Sequence, residues 1–567
     1  MAHRVFHWRF GLPVAAVFLL FSRAVLAGDV GTGDPRLVVL IVVDQLRGDL
    51  VTRFGRHFEA GGFRLLTDRG ALFVNAHYSY GASETAPGHA TIATGRLPRQ
   101  HGIVANRWFV ADPENPSPHA VFDSESHPVP GGADSSAPSA SARNLIGPGF
   151  ADQLRLSDRR SRVLSVALKD RAAIFTAGKR PNGAFWLDGR SGRFVTSSYY
   201  GENLLPCVEA FNSEKPAERW IGKSWDRALD ATAYESCHPA SPEWHEYLGM
   251  GATFPHRLAD VSDGSLKSYL TTLACSPFGN ELVLELAQRL IREEKLGGGD
   301  AIDMLCIGFS SNDYVGHYFG IDSPEAMDIT IRTDRQLARL FKTLDEQVGL
   351  SRCVIALTGD HGATTAPALT QALELGGGIL DLPAVERAME NALRPHFPST
   401  NDGQPPDRIV LGADVPWIYL NSPALAALSI DERRAVLAKA ATVLKGFEGV
   451  AEVLTEDDLQ GPAPSADEGA RYLAWRCYYP GRSGQLYVQL APYWFKTDDK
   501  ISGHDAGTTH DRHVPIFVFG PRVRPGRYFE AADPCDISVT LAALIGIEPP
   551  LNAVGRVLSE AIDSRPK

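Results

Sequence analysis

Two acid–imidazole pairs in this sequence have spacings that suit the binding of a metal ion. Asp313 and His317 are four residues apart, so a helix would place both side chains on one face, within reach of one ion. Asp360 and His361 are adjacent, with a glycine on each side that allows the backbone to approach an ion closely. Asp44 follows the most hydrophobic run of the chain. Taken singly, Asp44 also fits a turn cap, and Asp313 with His317 also fits a helix-surface ion pair.

A late loop supplies further imidazoles. His504, His510 and His513 lie just before a predicted strand, and we expect at least one of them to be a metal ligand. Carboxylates and imidazoles without thiolate suit Zn²⁺, with Mn²⁺, Co²⁺ and iron as alternatives at some positions. The set is too large for one tetrahedral ion. Two ions about 4 Å apart would instead contact the attacking and leaving oxygens of a phosphoryl transfer.

A hydroxyl group in a favourable setting occurs at Thr85. Pro87 suits the first turn of a helix, and Thr85 is placed where an N-cap residue would be. Free backbone N–H groups and the positive end of the helix dipole would then face its oxygen. Beside a zinc ion, this oxygen could lose its proton near neutral pH and attack phosphorus. An ordinary N-cap without chemistry fits the same residues, and Ser83 is a rival nucleophile.

Buried strands and amphipathic helices must hold these residues together. Strands buried on both faces, as in a parallel sheet, are predicted at Leu37–Val43, Met304–Phe309, Val354–Leu357 and Val514–Phe519. Helical patterns lie between them, over 329–344, and follow them, over 537–545. Strands that alternate with helices predict an α/β fold. Ligands in open α/β sheets collect at the carboxyl ends of the strands, where Asp44 would lie.

Two stretches depart from this alternation. Residues 106–276 and 381–493 read as irregular segments, and the first is rich in Gly, Pro, Ser and Asn. We predict that both are insertions that form a cap over the carboxyl edge of the sheet. The catalytic domain is predicted to span 28–567. Residues 1–27 read as a secretory signal peptide, with arginines at the start, a short apolar run and Ala27 last.

Several motifs occur in the order seen in the alkaline phosphatase superfamily. They are Val42–Gln45, Thr85–His89, Gly102–Ile103, Gly359–Gly362 and Asp536–Leu541. The chain resembles this superfamily over nearly all of residues 28–567. The resemblance implies a central, mostly parallel sheet between helices, with cap insertions. The superfamily includes phosphatases, phosphodiesterases, sulfatases and phosphoglycerate mutases, so the resemblance alone leaves the substrate open.

Finer features resemble the single-chain, calcium-independent bacterial alkaline phosphatases, which have a threonine nucleophile. Asn106 follows Thr85 at their interval, and Ser165–Ala173 is similar to the segment that supplies their phosphate-binding Lys and Arg. The resemblance implies that Lys169, Arg171 and Asn106 hold the phosphoryl oxygens. A phosphate monoester carries one more charged oxygen than a diester, and these donors would favour that additional charge.

The resemblance also implies how the metal ligands divide. One zinc ion would be held by Asp44, Thr85, Asp360 and His361, and the other by Asp313, His317 and one late histidine. The family places this histidine nine residues before the one in its His-Val-Pro element, which is His513 here, so His504 is the expected ligand. A short deletion would make His510 the ligand instead. Asp505 follows His504 where the family has glycine.

The resemblance therefore implies a monomeric, zinc-dependent phosphomonoesterase that acts on small phosphate esters. Zinc-bound Thr85 would form a covalent phosphothreonine. A nucleotide phosphodiesterase or pyrophosphatase, or a phosphonate hydrolase of the same superfamily, is the alternative. A sulfatase is less favoured because the sequence has no C/S-x-P-x-R element. A secreted, metal-stabilised binding protein is the non-enzymatic alternative.

The charge balance restricts the partners. The formal net charge is −11, and loss of the signal peptide would remove three arginines and no acids, which gives −14. We therefore expect neither nucleic acid nor an anionic membrane surface as a partner. The signal peptide, with no later run of transmembrane length, predicts a periplasmic or secreted protein. Cys207 and Cys237 could pair as a disulfide in such an oxidising compartment.

Overall fold

A computed structural model describes residues 33–112, 114–130, 139–238, 248–261, 266–397, 406–496 and 500–563. The predicted signal peptide at 1–27 lies outside these residues. Over the described residues, no helix has both the length and the apolar character needed to cross a bilayer.

The strands, in chain order, are β1 (Leu37–Val43), β2 (Ala71–His77), β3 (Phe122–Asp123), β4 (Pro128–Val129), β5 (Ser139–Ala140), β6 (Val163–Ala167), β7 (Gly183–Leu187), β8 (Phe194–Ser197), β9 (Ser224–Trp225), β10 (His256–Arg257), β11 (Asp303–Phe309), β12 (Cys353–Thr358), β13 (Gly378–Leu380), β14 (Val410–Asp414), β15 (Trp417–Leu420), β16 (Val450–Thr455), β17 (Leu486–Leu490), β18 (Trp494–Lys496), β19 (His513–Phe519) and β20 (Gly526–Tyr528).

The α-helices are α1 (Leu50–Phe54), α2 (Phe63–Arg69), α3 (Thr85–Thr94), α4 (Pro98–His101), α5 (Phe150–Ser157), α6 (Asp170–Ala177), α7 (Pro206–Ser213), α8 (Leu266–Ala274), α9 (Pro277–Glu293), α10 (Ser311–Phe319), α11 (Pro324–Gln347), α12 (Pro367–Ala372), α13 (Leu382–Leu393), α14 (Ser422–Ala426), α15 (Ile430–Lys445), α16 (Glu456–Leu459), α17 (Ala470–Cys477), α18 (Thr509–Arg512) and α19 (Asp536–Ile545).

The molecule is organised around a ten-stranded sheet with the order β20-β2-β19-β12-β1-β11-β6-β7-β8-β4. Its five central strands, from β12 to β7, run parallel to one another. This confirms the predicted α/β class and the mostly parallel sheet. The strand at Val514–Phe519 exists as β19, but it runs antiparallel to both of its neighbours. Its apolar run reflects burial on both faces, which does not depend on strand direction.

Helices cover both faces of this sheet. Alternate residues of β1 point to opposite sides, so Val39 and Ile41 belong to one core and Leu40 and Val42 to another. The first core includes apolar residues of α9 and α11, and the second includes those of α5 and α19. A strand with a core on each face must be apolar throughout, which explains the continuous LVVLIVV run.

The stretch from 106 to 276 is not one insertion, and this prediction was wrong in part. Its strands β6, β7, β8 and β4 belong to the central sheet. A later portion packs on the helical layer, because Trp225 and Tyr234 donate hydrogen bonds to the buried Asp328 of α11. The prediction relied on local composition, which does not reveal that short strands join a distant sheet.

The stretch from 381 to 493 forms a unit with a sheet of its own. Strands β14, β15, β17 and β16 make a four-stranded antiparallel sheet. Apolar residues of α13 and α15, such as Val385 and Leu437, share a separate core with this sheet. Trp417 donates a hydrogen bond to the carbonyl of Val104 and so links the unit to the main body. Its function as a cap stays a prediction.

The proposed disulfide between Cys207 and Cys237 is absent, so this prediction was wrong. Both residues are buried free cysteines. The sulfur of Cys207 lies 3.4 Å from Glu294 Oε1, whereas the sulfur of Cys237 lies 3.5 Å from Met327 Sδ. Each thiol therefore packs in its own environment.

Candidate active site

The candidate site lies at the carboxyl ends of the central parallel strands. Asp44 directly follows β1, whereas Asp360 and Lys169 lie two residues after the ends of β12 and β6. Helix α10 begins two residues after β11 and carries Asp313 and His317 one turn apart. Because parallel strands end at the same edge, residues far apart in sequence meet here.

Thr85 is the first residue of α3 and is buried. The predicted N-cap position was one residue off, because Glu84 has the extended backbone of the N-cap. The Thr85 hydroxyl still lies at the N-terminus of the helix, where backbone N–H groups lack helical partners. Asn106 accepts one of these N–H groups, that of Ala86, at 2.9 Å.

Two groups of buried side chains could each hold a metal ion. Ligand atoms of Asp44, Asp360 and His361 all lie within 4.8 Å of one another, and so do those of Asp313, His361 and His504. His361 belongs to both groups, so the two positions are adjacent. This geometry resembles a two-metal site more than two separate ones.

His317 completes the second group. Its Nε2 lies 3.1 Å from Asp313 Oδ1 and 3.2 Å from the Nε2 of His504. The Nδ1 atoms of His317, His361 and His504 each face a backbone carbonyl, so a ring that binds a metal ion would carry its proton on Nδ1 and keep the Nε2 lone pair for the ion. Two lone pairs that face each other at this distance are stabilised by a cation between them.

Several buried polar atoms in these groups have no hydrogen-bond partner within the described part of the chain. They are Asp44 Oδ1, Asp360 Oδ2 and His361 Nε2. Buried polar atoms without partners are costly, and a bound ion would satisfy all three. Two carboxylate oxygens and an imidazole nitrogen are ligands that Zn²⁺ accepts, so the residues present fit a zinc ion.

Burial and neighbouring charges shift the pKa values of several groups in the site. Burial and the neighbouring Asp360 carboxylate raise the pKa of Asp44 well above its ordinary value. Burial alone would also raise the pKa of Asp313, but His317 and Lys169 outweigh it and hold this pKa well below the ordinary value. Burial lowers the pKa of His504, which keeps the ring neutral and able to bind a metal.

Lys169 lies between the acids and the hydroxyl of Thr85. Its Nζ is 2.6 Å from Asp44 Oδ2, 2.6 Å from Asp313 Oδ2 and 3.2 Å from Thr85 Oγ1. Arg171 follows on the first turn of α6, partly exposed, and its nearest acid is Asp170 at 3.7 Å. Within the described residues, Arg171 Nε has no hydrogen-bond partner. Lys169 therefore contacts the Thr85 hydroxyl directly, and Asn106 contacts the backbone of the next residue, Ala86.

The structure separates the two histidines that sequence left as alternatives. His504 is buried and its ring stacks on that of His361, with centroids 3.7 Å apart. His510 is half-buried, and its ring lies 5.2 Å from that of Tyr493. Ser83 contributes its backbone carbonyl, which faces His504 Nδ1, whereas its hydroxyl has no partner among the described residues.

Gln45 is a site residue that sequence reasoning missed. Its φ of 62° turns the chain sharply after Asp44. As a result, its backbone N–H donates to Asp360 Oδ1 at 3.0 Å and its side chain donates to Asp313 Oδ1 at 2.8 Å. Gln45 thus orients one carboxylate of each group. The only sequence signal was its position in the Val42–Gln45 motif.

A second missed feature is a group of buried charges behind the site, which we call the Lys496 cluster: Lys496, Asp414, Asp505 and Glu84. Lys496 Nζ lies 2.5 Å from Asp414 Oδ1 and 3.2 Å from Asp505 Oδ1. Glu84 Oε2 accepts the backbone N–H of Asn106 at 2.5 Å, and burial together with Asp414 raises its pKa to about 8. Glu84 adjoins the nucleophile position, and Asp505 adjoins His504.

Comparisons with known proteins show which proteins this chain resembles. The family model for type I phosphodiesterase / nucleotide pyrophosphatase matches residues 38–513. Alkaline phosphatase PafA of Elizabethkingia meningoseptica is 32% identical over 538 residues, covering 93% of this chain and 94% of that protein. Alkaline phosphatase PhoV of Synechococcus elongatus is 31% identical over 541 residues, covering 93% of each chain.

A solved structure shows the same fold. The crystal structure of wild-type alkaline phosphatase PafA matches with a TM-score of 0.84 and 31% identity, covering 94% of this chain and all of that one. The predicted resemblance to the alkaline phosphatase superfamily, and to its single-chain bacterial members, is thereby confirmed. The chain belongs to the type I phosphodiesterase / nucleotide pyrophosphatase family.

Proposed function

We propose that the protein is a phosphatase that hydrolyses phosphate monoesters, with Thr85 as the nucleophile. The observation that carries this proposal is the position of Lys169, whose ammonium lies 3.2 Å from the Thr85 hydroxyl. A fixed positive charge beside the nucleophile favours a dianionic phosphoryl group over a monoanionic one. The relatives named alkaline phosphatases support the same activity.

We propose that two zinc ions complete the site. Asp44, Asp360 and His361, with Thr85, would hold one, and Asp313, His317 and His504 the other. When bound, such ions lower the pKa of a hydroxyl or water and stabilise negative charge on a leaving oxygen.

In the proposed reaction, the Thr85 oxygen attacks phosphorus in line with the leaving oxygen. The bond from phosphorus to the leaving oxygen breaks as the new bond forms. Thr85 gives its hydroxyl proton to solvent, and the leaving oxygen takes up a proton and departs as the product alcohol. Lys169 and Arg171 neutralise the charge on the equatorial oxygens, and the amide of Asn106 donates a hydrogen bond to them. Water then attacks the phosphothreonine, which releases phosphate and restores the Thr85 hydroxyl.

The second candidate is a nucleotide phosphodiesterase or pyrophosphatase, because the matching family model carries that description. A diester has one charged non-bridging oxygen fewer, so it gains less from Lys169 and Arg171. A phosphonate hydrolase and a metal-stabilised binding protein are weaker alternatives. We further propose that the protein acts as a monomer on small phosphate esters, outside the cytoplasm.

The test compares the activities of Thr85→Ala and Lys169→Ala with Ser83→Ala as the matched hydroxyl control. Thr85→Ala should abolish hydrolysis of p-nitrophenyl phosphate while metal analysis still finds two ions per chain, and Ser83→Ala should retain hydrolysis. Lys169→Ala should lower the monoester-to-diester ratio of kcat/KM by roughly 10- to 100-fold, as expected for one lost charge-assisted contact. An active Thr85→Ala enzyme, or a ratio that Lys169→Ala leaves unchanged, would refute the proposal.

A further inference from the structure

A basic cleft lies away from the candidate active site, between α5 and the loop that joins α6 to β7. Its volume is about 900 Å³. Helix α5 lines it with Asp152, Arg155 and Leu156, which share one face at helical spacing, and Arg159 lines it from the turn that follows the helix. The opposite wall is formed by the loop 179–181 and by two tyrosines that follow β8.

Four cations line this cleft: Arg155, Arg159, Lys179 and Arg180. None of the four has a carboxylate within ion-pair distance in the described part of the chain. Arg155 donates instead to the carbonyl of Arg180 at 2.6 Å. The cleft therefore presents positive charge that the surrounding protein does not neutralise by contact.

The one acid that lines the cleft already accepts three hydrogen bonds from the backbone. Asp152 accepts the backbone N–H groups of Gly149, Lys179 and Arg180 at 2.8, 2.9 and 3.0 Å. These bonds hold the 179–181 loop against α5 and leave Asp152 little capacity to pair with a side chain. Its role here is to shape the cleft.

A fifth cation lies beneath the wall of the cleft. Arg96 is only 3% exposed, donates to the carbonyl of Pro148 at 2.6 Å, and has no partner for its Nε among the described residues. The pKa of Lys179 is lowered, first by burial and then by Arg96 and Arg143, although Asp152 opposes them. A positive potential is thus concentrated here on a chain whose net charge is −11.

The position of the cleft separates it from the phosphoryl-binding residues. Helix α6 has Lys169 at its N-cap and Arg171 in its first turn, and it ends at Ala177, two residues before Lys179 of the cleft. Eight helical residues span about 12 Å, so the cleft lies at the opposite edge of the sheet from Thr85. The start of β7, which runs parallel to β6, marks that edge.

We propose that this cleft binds an anion that carries two or more phosphate groups. Four cations spread over its two walls match several phosphates better than one, and guanidinium groups bind phosphate oxygens in pairs. Leu156 is 72% exposed and Tyr199 is half-buried at the rim, which adds apolar contact for an attached organic group. The ligand is either an inorganic polyphosphate or a nucleoside polyphosphate. The proposal does not depend on the proposed catalytic activity.

The test uses the full chain and a fluorescent tetra-anion, pyrenetetrasulfonate, which is not a phosphate ester. Fluorescence anisotropy should show saturable binding that weakens as salt is added. Arg159→Ala/Arg180→Ala should weaken binding at least ten-fold. Arg160→Ala is the matched control, because Arg160 is exposed and already paired with Asp158 at 2.7 Å. Lys169→Ala should bind the dye as the wild type does, because Lys169 belongs to the other edge.

Competition then identifies the ligand. Tripolyphosphate or ADP should displace the dye at a concentration at least ten-fold lower than orthophosphate does. Stronger displacement by ADP would indicate that the nucleoside uses Leu156 and Tyr199, and stronger displacement by tripolyphosphate would indicate an inorganic chain. Unchanged binding in the Arg159→Ala/Arg180→Ala variant, loss of binding in Lys169→Ala, or equal competition by orthophosphate would each overturn the proposal.

Discussion

The Lys496 cluster allows a prediction about how the 381–493 unit and the adjoining strand β18 support the site. Lys496 is the last residue of β18 and its side chain is 15% exposed. Its ammonium is shared by Asp414 at 2.5 Å and Asp505 at 3.2 Å, and burial is opposed by these acids, which hold its pKa above the ordinary value. Lys496→Met keeps most of the side-chain volume but removes the charge.

The expected loss in the free energy of unfolding depends on which carboxylates remain without a cation after the substitution. Asp414 retains Arg107, whose Nε lies 3.2 Å from its Oδ2. Asp505 loses its one close cation among the described residues, and it is buried. Removing one partner of a buried ion pair typically costs 3 to 5 kcal/mol, and we expect about 3 kcal/mol because Asp414 stays paired.

The assay is urea unfolding of Lys496→Met and of Lys496→Met/Asp505→Gly, with Lys223→Met as the exposed control. The double variant restores the glycine that the resembling family has after the late histidine. It should recover about half of the lost free energy of unfolding, because the unpaired carboxylate is gone. The single variant should also lose zinc to a chelator faster, since Asp505 adjoins His504. Equal unfolding of the single and double variants would refute the assigned partnership.

Two further substitutions test particular contacts. Burial alone would raise the pKa of Asp322, but Arg47, Thr365 and Arg53 together outweigh it and lower this pKa to about 2. The stabilisation is therefore present above the unfolded pKa near 4 and is lost as pH falls towards 2. Asp322→Asn should lower the free energy of unfolding, measured in urea at pH 7, by about 2 kcal/mol. A loss of the same size at pH 2 would contradict the assignment. A Cβ on Gly88 would lie 2.9 Å from the carbonyl carbon of Asp360, so Gly88→Ala should lower both zinc retention and activity. Gly55→Ala, where no atom lies within 4 Å of the new Cβ, is its control; equal behaviour of the two variants would exclude the close approach.

Local sequence patterns were sufficient to predict the strands and the helix that carry the site. The aliphatic runs that predicted β1, β11 and β12 end where the structure ends them, within a residue, and the four-residue spacing of Asp313 and His317 does lie on a helix. These features depend on hydrophobic periodicity, which is written in consecutive residues. The order of motifs was likewise sufficient to place the chain in its superfamily.

Contacts between residues that are distant in sequence could not be predicted from such local patterns. Composition suggested that 106–276 was an insertion, yet β6, β7 and β8 complete the central sheet. Short strands have weak patterns, and their partners are chosen by the packing of the whole sheet. The pairing suggested for Cys207 and Cys237 failed for the same reason, since chain spacing says nothing about where each sulfur packs.

The sequence alone determined which types of residue are available for the chemistry. It also determined the strands and helices that present them, because both depend on neighbours along the chain. Only the tertiary structure decided that His504 rather than His510 meets His317 and His361, that Lys169 lies against Thr85, and that Lys496 offsets the departure at Asp505. Each of these is a contact between elements that the fold brings together, across 187 positions of the chain for His317 and His504, 84 for Thr85 and Lys169, and nine for Lys496 and Asp505. Its existence depends on which elements pack together, and no local pattern encodes that.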